Sequence, residues 1–215
     1  MDHGAYFPGL TDSPSGPRAL WAMVEALSAN DPFLTANSFT DDPRLAPYFR
    51  RHGGREGTMF GGGTGRLRTV ETHQRATQQA RSASCFNLVG AAQVGKASLS
   101  AMRILHRLNG LLPFWPFDPI PKTGPMLIEI YTSVATRAAG VPRNRSKIRD
   151  HASLVRSLAA LGASTRPLHR INDHVTDAMV TAAWLRRASA NPALWAPSAM
   201  TPQVAAQEGW TFGIV

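Results

Sequence analysis

Apolar residues recur along this chain at two spacings, and the spacings mark out its elements. In SGPRALWAMVEALSAND, Leu20, Val24 and Leu27 fall at helical intervals behind Pro17, and the polar close predicts where that helix stops. Leu99, Met102, Leu105 and Leu108 repeat the interval, with Gly110 as terminator. IRDHASLVRSLAALGA reads as an amphipathic helix. NDHVTDAMVTAAWLRRA, residues 172–188, reads as another, with Val175, Ala178, Met179, Ala182 and Leu185 as its core stripe. CFNLV is a short apolar run of buried-strand type. In PMLIEIYTSVA, Met126, Ile128 and Ile130 alternate with Leu127, Glu129 and Tyr131, so both faces are largely apolar and a central strand is predicted. Glu129 inside it needs a cationic partner, a metal or an open strand end. LLPFWPFDPIPKTG is a packed loop in which Trp115 and Phe117 plug a core, and EGWTFGIV is a short strand or a docked tail. Strands alternating with helices predict the α/β class.

One segment escapes both periods. GGREGTMFGGGTG, residues 53–65, holds seven glycines in thirteen positions, which reads as a flexible loop. Around it, from Arg44 to Arg81, stand eight arginines against Glu56 and Glu71. That is most of the excess in a chain of formal net charge +9. The region reads either as a mobile basic flap over a phosphate backbone or as a basic loop without a ligand. A balance this basic favours a polyanionic partner, nucleic acid first. At 215 residues and 43 % hydrophobic, the chain suits a single domain, 1–215, with the Gly/Arg-rich stretch at about 40–82 as an insertion or flap. The single cysteine, Cys85, excludes an internal disulfide and predicts no disulfide-linked partner and a cytoplasmic, reducing location. No apolar run is long enough to cross a membrane, and the first ten residues lack signal-peptide character.

Two stretches carry candidate chemistry. Asp173, His174 and Asp177 lie three and four residues apart on one helix, a spacing that puts side chains on neighbouring ground. Carboxylates and an imidazole suit Mg²⁺ or Mn²⁺. The rival reading has Asn172 capping the helix and Asp173 answering its dipole, which leaves Asp177 unexplained. GAAQVGKAS nearly spells a phosphate-binding loop through Gly90, Gly95 and Lys96, but Ala97 stands where a hydroxyl should hold Mg²⁺. Its alternatives are a tight Gly turn before a packed helix, or Lys96 and backbone N–H groups on a nucleic-acid phosphate.

The ordered set DHGAYFP, LIEIY followed by AAG, KIRDHASLVRSL, DHVTDAMVTAAWL and EGWTFGIV resembles an uncharacterised family of predicted nucleases with a ribonuclease H-like fold, similar to Holliday-junction resolvases. The resemblance covers residues 1–8 and 126–215. It implies a mixed sheet flanked by helices and a Mg²⁺- or Mn²⁺-dependent hydrolase of nucleic-acid phosphodiesters. Residue by residue, it implies Asp2, Glu129 and Asp177 as catalytic acids, with Asp2, Asp177 and His174 as metal ligands. Lys96, Arg66, Arg68 and Lys147 are the candidate nucleic-acid contacts. The chain departs from the family by starting at what resembles the fourth strand, so it reads as lacking the first three strands and the Asp of the first. The family's activity and the activity of this chain are therefore separate expectations. The alternatives are a non-catalytic nucleic-acid-binding protein and a nucleotide-binding protein using Gly90–Lys96.

Overall fold

A computed structural model describes residues 6–80, 82–90, 93–142 and 147–215. The elements are helices α1 (Pro17–Leu27), α2 (Asn37–Asp41), α3 (Thr69–Ala76) and α4 (Val94–Arg107), strand β1 (Glu129–Ile130), helices α5 (Thr132–Ala138), α6 (His151–Ala160), α7 (Asp173–Ala188), α8 (Pro192–Trp195) and α9 (Pro202–Gln207), and strand β2 (Thr211–Phe212). They fall into two compact units. The first is Met1–Leu127 with Thr201–Trp210; the second is Ile128–Met200 with Thr211–Val215.

The first unit is built on α1 and α4. Pro17 opens α1 where its missing N–H costs nothing, and Leu20, Trp21 and Val24 turn one face inward. The core joins Leu20 and Val24 to Phe7, Phe39, Leu45, Tyr48, Phe49, Leu88 and Leu99. Phe7 is its hub, edge-on to Tyr48 at 5.1 Å and to Phe39 and Phe86 at 6.1 Å. The aromatic Pro-rich loop packs as expected: Trp115 is buried, and Phe114 and Phe117 meet Trp21 at 5.4 and 5.7 Å. The turn Pro32–Leu34 is strained. Phe33 and Leu34 both hold left-handed backbone angles, φ 54° and 58°, at a cost of about 1–2 kcal/mol each.

The second unit is held by β1, β2 and the helices between them. Glu129 pairs with Thr211 and Ile130 with Phe212 in a parallel ladder. Phe212 is fully buried against Trp184 at 5.8 Å and Trp195 at 4.5 Å. Asp150 caps α6 by accepting from the Ser153 N–H at 2.7 Å, and Asn172 caps α7 by accepting from the Val175 N–H at 3.0 Å. At the other end of α7, Arg186 and Arg187 donate to the carbonyls of Gly162 and Ala160, which close α6.

The α/β expectation is corrected. The described residues are 44 % helix and 4 % strand, and the sheet among them is one two-stranded parallel pair, not a ribonuclease H-like mixed sheet flanked by helices and lacking three strands. Apolar runs did not become strands because their backbone goes elsewhere. CFNLV is a turn whose one bridge, at Asn87, pairs with Arg50. Leu127 makes a single bridge to Phe114, among prolines 113, 116, 119, 121 and 125 that cannot donate to a ladder. Glu129, expected inside a buried strand, is exposed. The buried face of α7 is also not the predicted one. It comprises Thr176, Val180, Thr181, Ala183, Trp184 and Ala188, while Ala178 and Ala182 are exposed. One indole removes far more apolar area from water than two alanine methyls, so Trp184 sets the helix rotation.

Candidate functional site

Asp173, Asp177, Val180 and Trp184 follow one another at intervals of four, three and four, so the two acids prolong the buried stripe of α7 toward its N-terminus. What covers them there is Lys147. Its Nζ lies 3.0 Å from Asp177 Oδ2 and 3.6 Å from Asp173 Oδ2. The Thr176 hydroxyl donates to the Ile148 carbonyl at 3.3 Å, which seats the residue after Lys147 on the same helix. Thr132, the first residue of α5 just beyond β1, donates its hydroxyl to Asp177 Oδ2 at 3.5 Å. Three segments distant in sequence thus meet at one carboxylate pair. Asp177 is the less exposed acid, with 20 % of its side chain accessible against 44 % for Asp173. The hydrogen bond from Lys147 to Asp177 raises the lysine above its ordinary value, against a smaller opposing effect of burial.

The other expected acids behave differently. Glu129 stands three residues before Thr132, and its Oε1 accepts from the Thr211 hydroxyl at 2.9 Å. His174 is exposed. Asp2 lies outside the described residues. Among the described residues no three His, Cys, Asp or Glu side chains converge on one metal position. The Asp173–Asp177 pair offers carboxylate oxygens, hard donors of the kind that suit Mg²⁺ or Mn²⁺ completed by water. An ion and the Lys147 ammonium would compete for the same oxygens.

The basic candidates are largely engaged within the fold. Arg66 donates to the Tyr6 carbonyl at 2.7 Å and lies 4.2 Å from the Phe86 ring centre; burial pulls it below the usual guanidinium value. Arg68 donates its Nε and its backbone N–H to the Glu71 carboxylate, both at 2.6 Å, and reaches the Glu208 carbonyl at 3.2 Å. Arg44, Arg50 and Arg51 pair with Asp42, Glu56 and Asp41. Arg75 donates to the Ser82 carbonyl. Arg55 remains exposed, and Arg81 lies outside the described residues. The Gly-rich loop itself is tethered: Phe60 is 1 % exposed, Met59 N–H donates to the Pro47 carbonyl at 2.8 Å, and Gly57 N–H donates to the Phe49 carbonyl at 3.0 Å.

Lys96 is exposed in the first turn of α4. Beside it, Gly95 gives its N–H to the Asn87 carbonyl at 3.1 Å, and a Cβ there would sit 2.3 Å from the Cys85 carbonyl oxygen. Close helix packing, not phosphate approach, therefore explains that glycine. Ala91 and Ala92 of the same stretch lie outside the described residues.

Sequence reading missed Lys147 as the partner of the α7 acids and Thr132 as a contributor. The only signal for Thr132 was its place at a strand-to-helix junction. Nothing in the sequence links Lys147 to residues 26 and 30 positions later. Comparison with protein-family models, with curated proteins and with solved structures gave no match to this chain.

Proposed function

We propose that this protein is a cation-dependent phosphodiester hydrolase acting on nucleic acid, with its chemistry at Asp177. The observation that carries the reading is the meeting of Asp173, Asp177, Lys147 and Thr132, two carboxylates, an ammonium and a hydroxyl drawn from three segments. Asp173 and Asp177 would hold Mg²⁺ or Mn²⁺, which supplies Lewis-acid polarisation of a phosphoryl oxygen. Lys147, displaced from the carboxylates, neutralises charge on the phosphate, and the Thr132 hydroxyl donates to a second oxygen. Glu129, exposed on β1, would be the carboxylate that orients water. Lys96, exposed on α4, would contribute a contact to the nucleic-acid phosphate backbone.

The test is cleavage of plasmid, single-stranded DNA and RNA with Mg²⁺ or Mn²⁺. Chelator-sensitive cleavage should fall at least about 100-fold in Asp177→Asn, the scale of losing an electrostatic contact made in the transition state. Unchanged cleavage in that variant would remove Asp177 from the mechanism, and no cleavage of any substrate would remove the hydrolase reading. Lys147→Met should tighten Mn²⁺ binding measured by titration calorimetry, because the competing ammonium is gone.

A second reading is a non-catalytic nucleic-acid binder. It is favoured by the same bridge, since Lys147 holds both carboxylates and offsets one of their two charges. It predicts binding that weakens steeply with salt and no turnover.

A further inference from the structure

Among the described residues, six cationic side chains are exposed and have no hydrogen-bond or ion-pair partner: Arg55, Lys96, Lys122, Arg149, Arg166 and Arg170. The last three belong to the second unit. Ile128–Met200 and Thr211–Val215 hold ten Lys and Arg against four Asp and Glu, so +6 of the net +9 lies in little more than a third of the sequence. The four acids are all engaged. Both Asp150 oxygens accept from Ser153, Asp173 and Asp177 share Lys147, and Glu129 accepts from Thr211. Arg149, Arg166 and Arg170 therefore carry charge that nothing within the fold answers.

The fold gathers these arginines beside the carboxylate pair. Lys147 and Ile148, just ahead of α6, meet Asp177 and Thr176 in the first turns of α7. Arg186 and Arg187, near the end of α7, reach the carbonyls of Gly162 and Ala160 at the end of α6. The two helices thus lie side by side and parallel, their axes about 8–10 Å apart. Both N-termini share one end. Arg149 stands one residue before the cap of α6, Arg170 two before the cap of α7, and exposed His174 is the second residue of α7. The connector 163–171, which has no regular structure, returns along the about 15 Å of α6 to this end and carries Arg166 and Arg170. Arg149 on one strand-like approach and Arg166 with Arg170 on the other therefore border the Asp173–Asp177 pair.

We infer that Arg149, Arg166 and Arg170 form the surface that grips the nucleic-acid phosphate backbone on either side of the Asp173–Asp177 pair. The inference rests on the nucleic-acid reading above and adds to it the surface that holds the substrate, which lies in the second unit and not in the Gly/Arg-rich segment. Guanidinium groups without a partner bind phosphate oxygens in bidentate fashion. A row of them on an irregular connector tracks a backbone and reads no bases, so binding is independent of sequence. A lipid surface is the poorer fit, because it requires a broad apolar face beside the cations. The exposed large hydrophobic residues described in this unit are Val155 and Val215 alone, and the side chains exposed near the arginines are Ser164, Pro167, His169 and His174.

Fluorescence anisotropy of a labelled oligo-dT of about 20 nucleotides, in chelator and over about 0.05–0.3 M salt, tests this without cleavage. Arg149→Gln, Arg166→Gln and Arg170→Gln together should weaken binding about 100-fold at about 0.1 M salt and reduce the slope of log K against log salt by about 2, the counterion release of three single-strand contacts. Arg55→Gln, Lys96→Gln and Lys122→Gln together remove the same charge and should weaken it by about tenfold or less. Lys at positions 149, 166 and 170 should restore most of the slope, since a point charge still holds phosphate. Equal losses in the two Gln triples, or no recovery with Lys, would overturn this surface and leave the nucleic-acid reading standing. No binding by the unsubstituted chain at about 0.05 M salt would overturn both. Hydrogen exchange locates the contact without any substitution: residues 163–174 should gain protection in the bound state, and protection gained only elsewhere overturns the surface. Phosphatidylserine–phosphatidylcholine vesicles should stay unbound where oligo-dT saturates, and tighter binding to vesicles overturns the choice of partner.

Discussion

Replacing Arg103 with methionine removes a side chain that ties α4 to both ends of the Asp31–Thr35 turn. Methionine retains most of the volume and the flexibility to fill it, so the loss is in bonds rather than packing. Those bonds are Nε to Glu25 at 2.6 Å and Nη1 to the carbonyls of Thr35 and Asp31 at 2.5 and 3.3 Å. Breaking a buried ion pair by deleting one partner costs about 3–5 kcal/mol. Glu25 keeps Arg107, whose Nη2 lies 2.8 Å away, so the carboxylate is not abandoned and the cost belongs near the lower bound. For a chain of this size each kcal/mol moves the melting midpoint by about 2–4 °C, which puts the expected fall at about 6–12 °C. Circular dichroism melts measure it, and hydrogen exchange should show residues 28–38 losing protection first. The pH dependence adds a second check. Hydrogen bonding by Arg103 is the largest of the effects that hold Glu25 below the usual carboxylate range. Stability from this pair is therefore complete above the unfolded carboxylate pKa and is lost as pH falls through the depressed native value. The variant should show a flatter acid limb. A midpoint shift worth less than about 1 kcal/mol, with the acid limb unchanged, would refute the assignment of Arg103 as the anchor of this turn.

Other consequences can be measured alongside. Gly95→Ala places a Cβ 2.3 Å from the Cys85 carbonyl and 2.8 Å from Leu88 Cδ2, so a loss of about 1–3 kcal/mol is expected in urea unfolding. Asn172→Ala removes the cap of α7 and should cost about 1 kcal/mol. Phe212→Ala empties the space between Trp184 and Trp195 and should cost about 3–5 kcal/mol, seen as an early change in tryptophan emission. Because Lys147 is raised, its bridge stands in full below the ordinary lysine value and is lost as pH climbs through the raised one. Lys147→Met should abolish that alkaline step in a stability–pH profile.

Helices α1, α4, α6 and α7 were legible because their information is local, whereas the shorter α2, α3, α8 and α9 were not marked and α5 begins inside PMLIEIYTSVA, a stretch read as strand. Pro17 with Leu20 and Val24, Asn172 ahead of α7, and the Leu99–Leu108 stripe each carry their own start, face or stop. The strands were not legible, because an apolar run states only that it is buried and a ladder needs a partner that sequence does not name. MLIEIY supplied two ladder residues, and CFNLV became a turn under Gly95. The rotation of α7 was misread by weighting alanines equally with a tryptophan. At the site, the i, i+4 spacing of Asp173 and Asp177 was visible, but the bridge to Lys147 depends on a non-local meeting. The basic segment misled in the opposite direction, since its charge count was right while six of its arginines have partners inside the fold.

The glycines of residues 53–65 are of two kinds, and the distinction is useful at the bench. A Cβ on Gly57 would lie 2.0 Å from the Pro47 carbonyl oxygen, and one on Gly65 would lie 2.6 Å from Phe60. Gly53, Gly54, Gly62 and Gly63 face open space. An epitope tag or a small fluorescent reporter grafted between Gly53 and Gly54, or between Gly62 and Gly63, would extend outward without touching the hydrophobic interior. The same graft moved a few positions, to Gly57, would wedge the loop off its anchor.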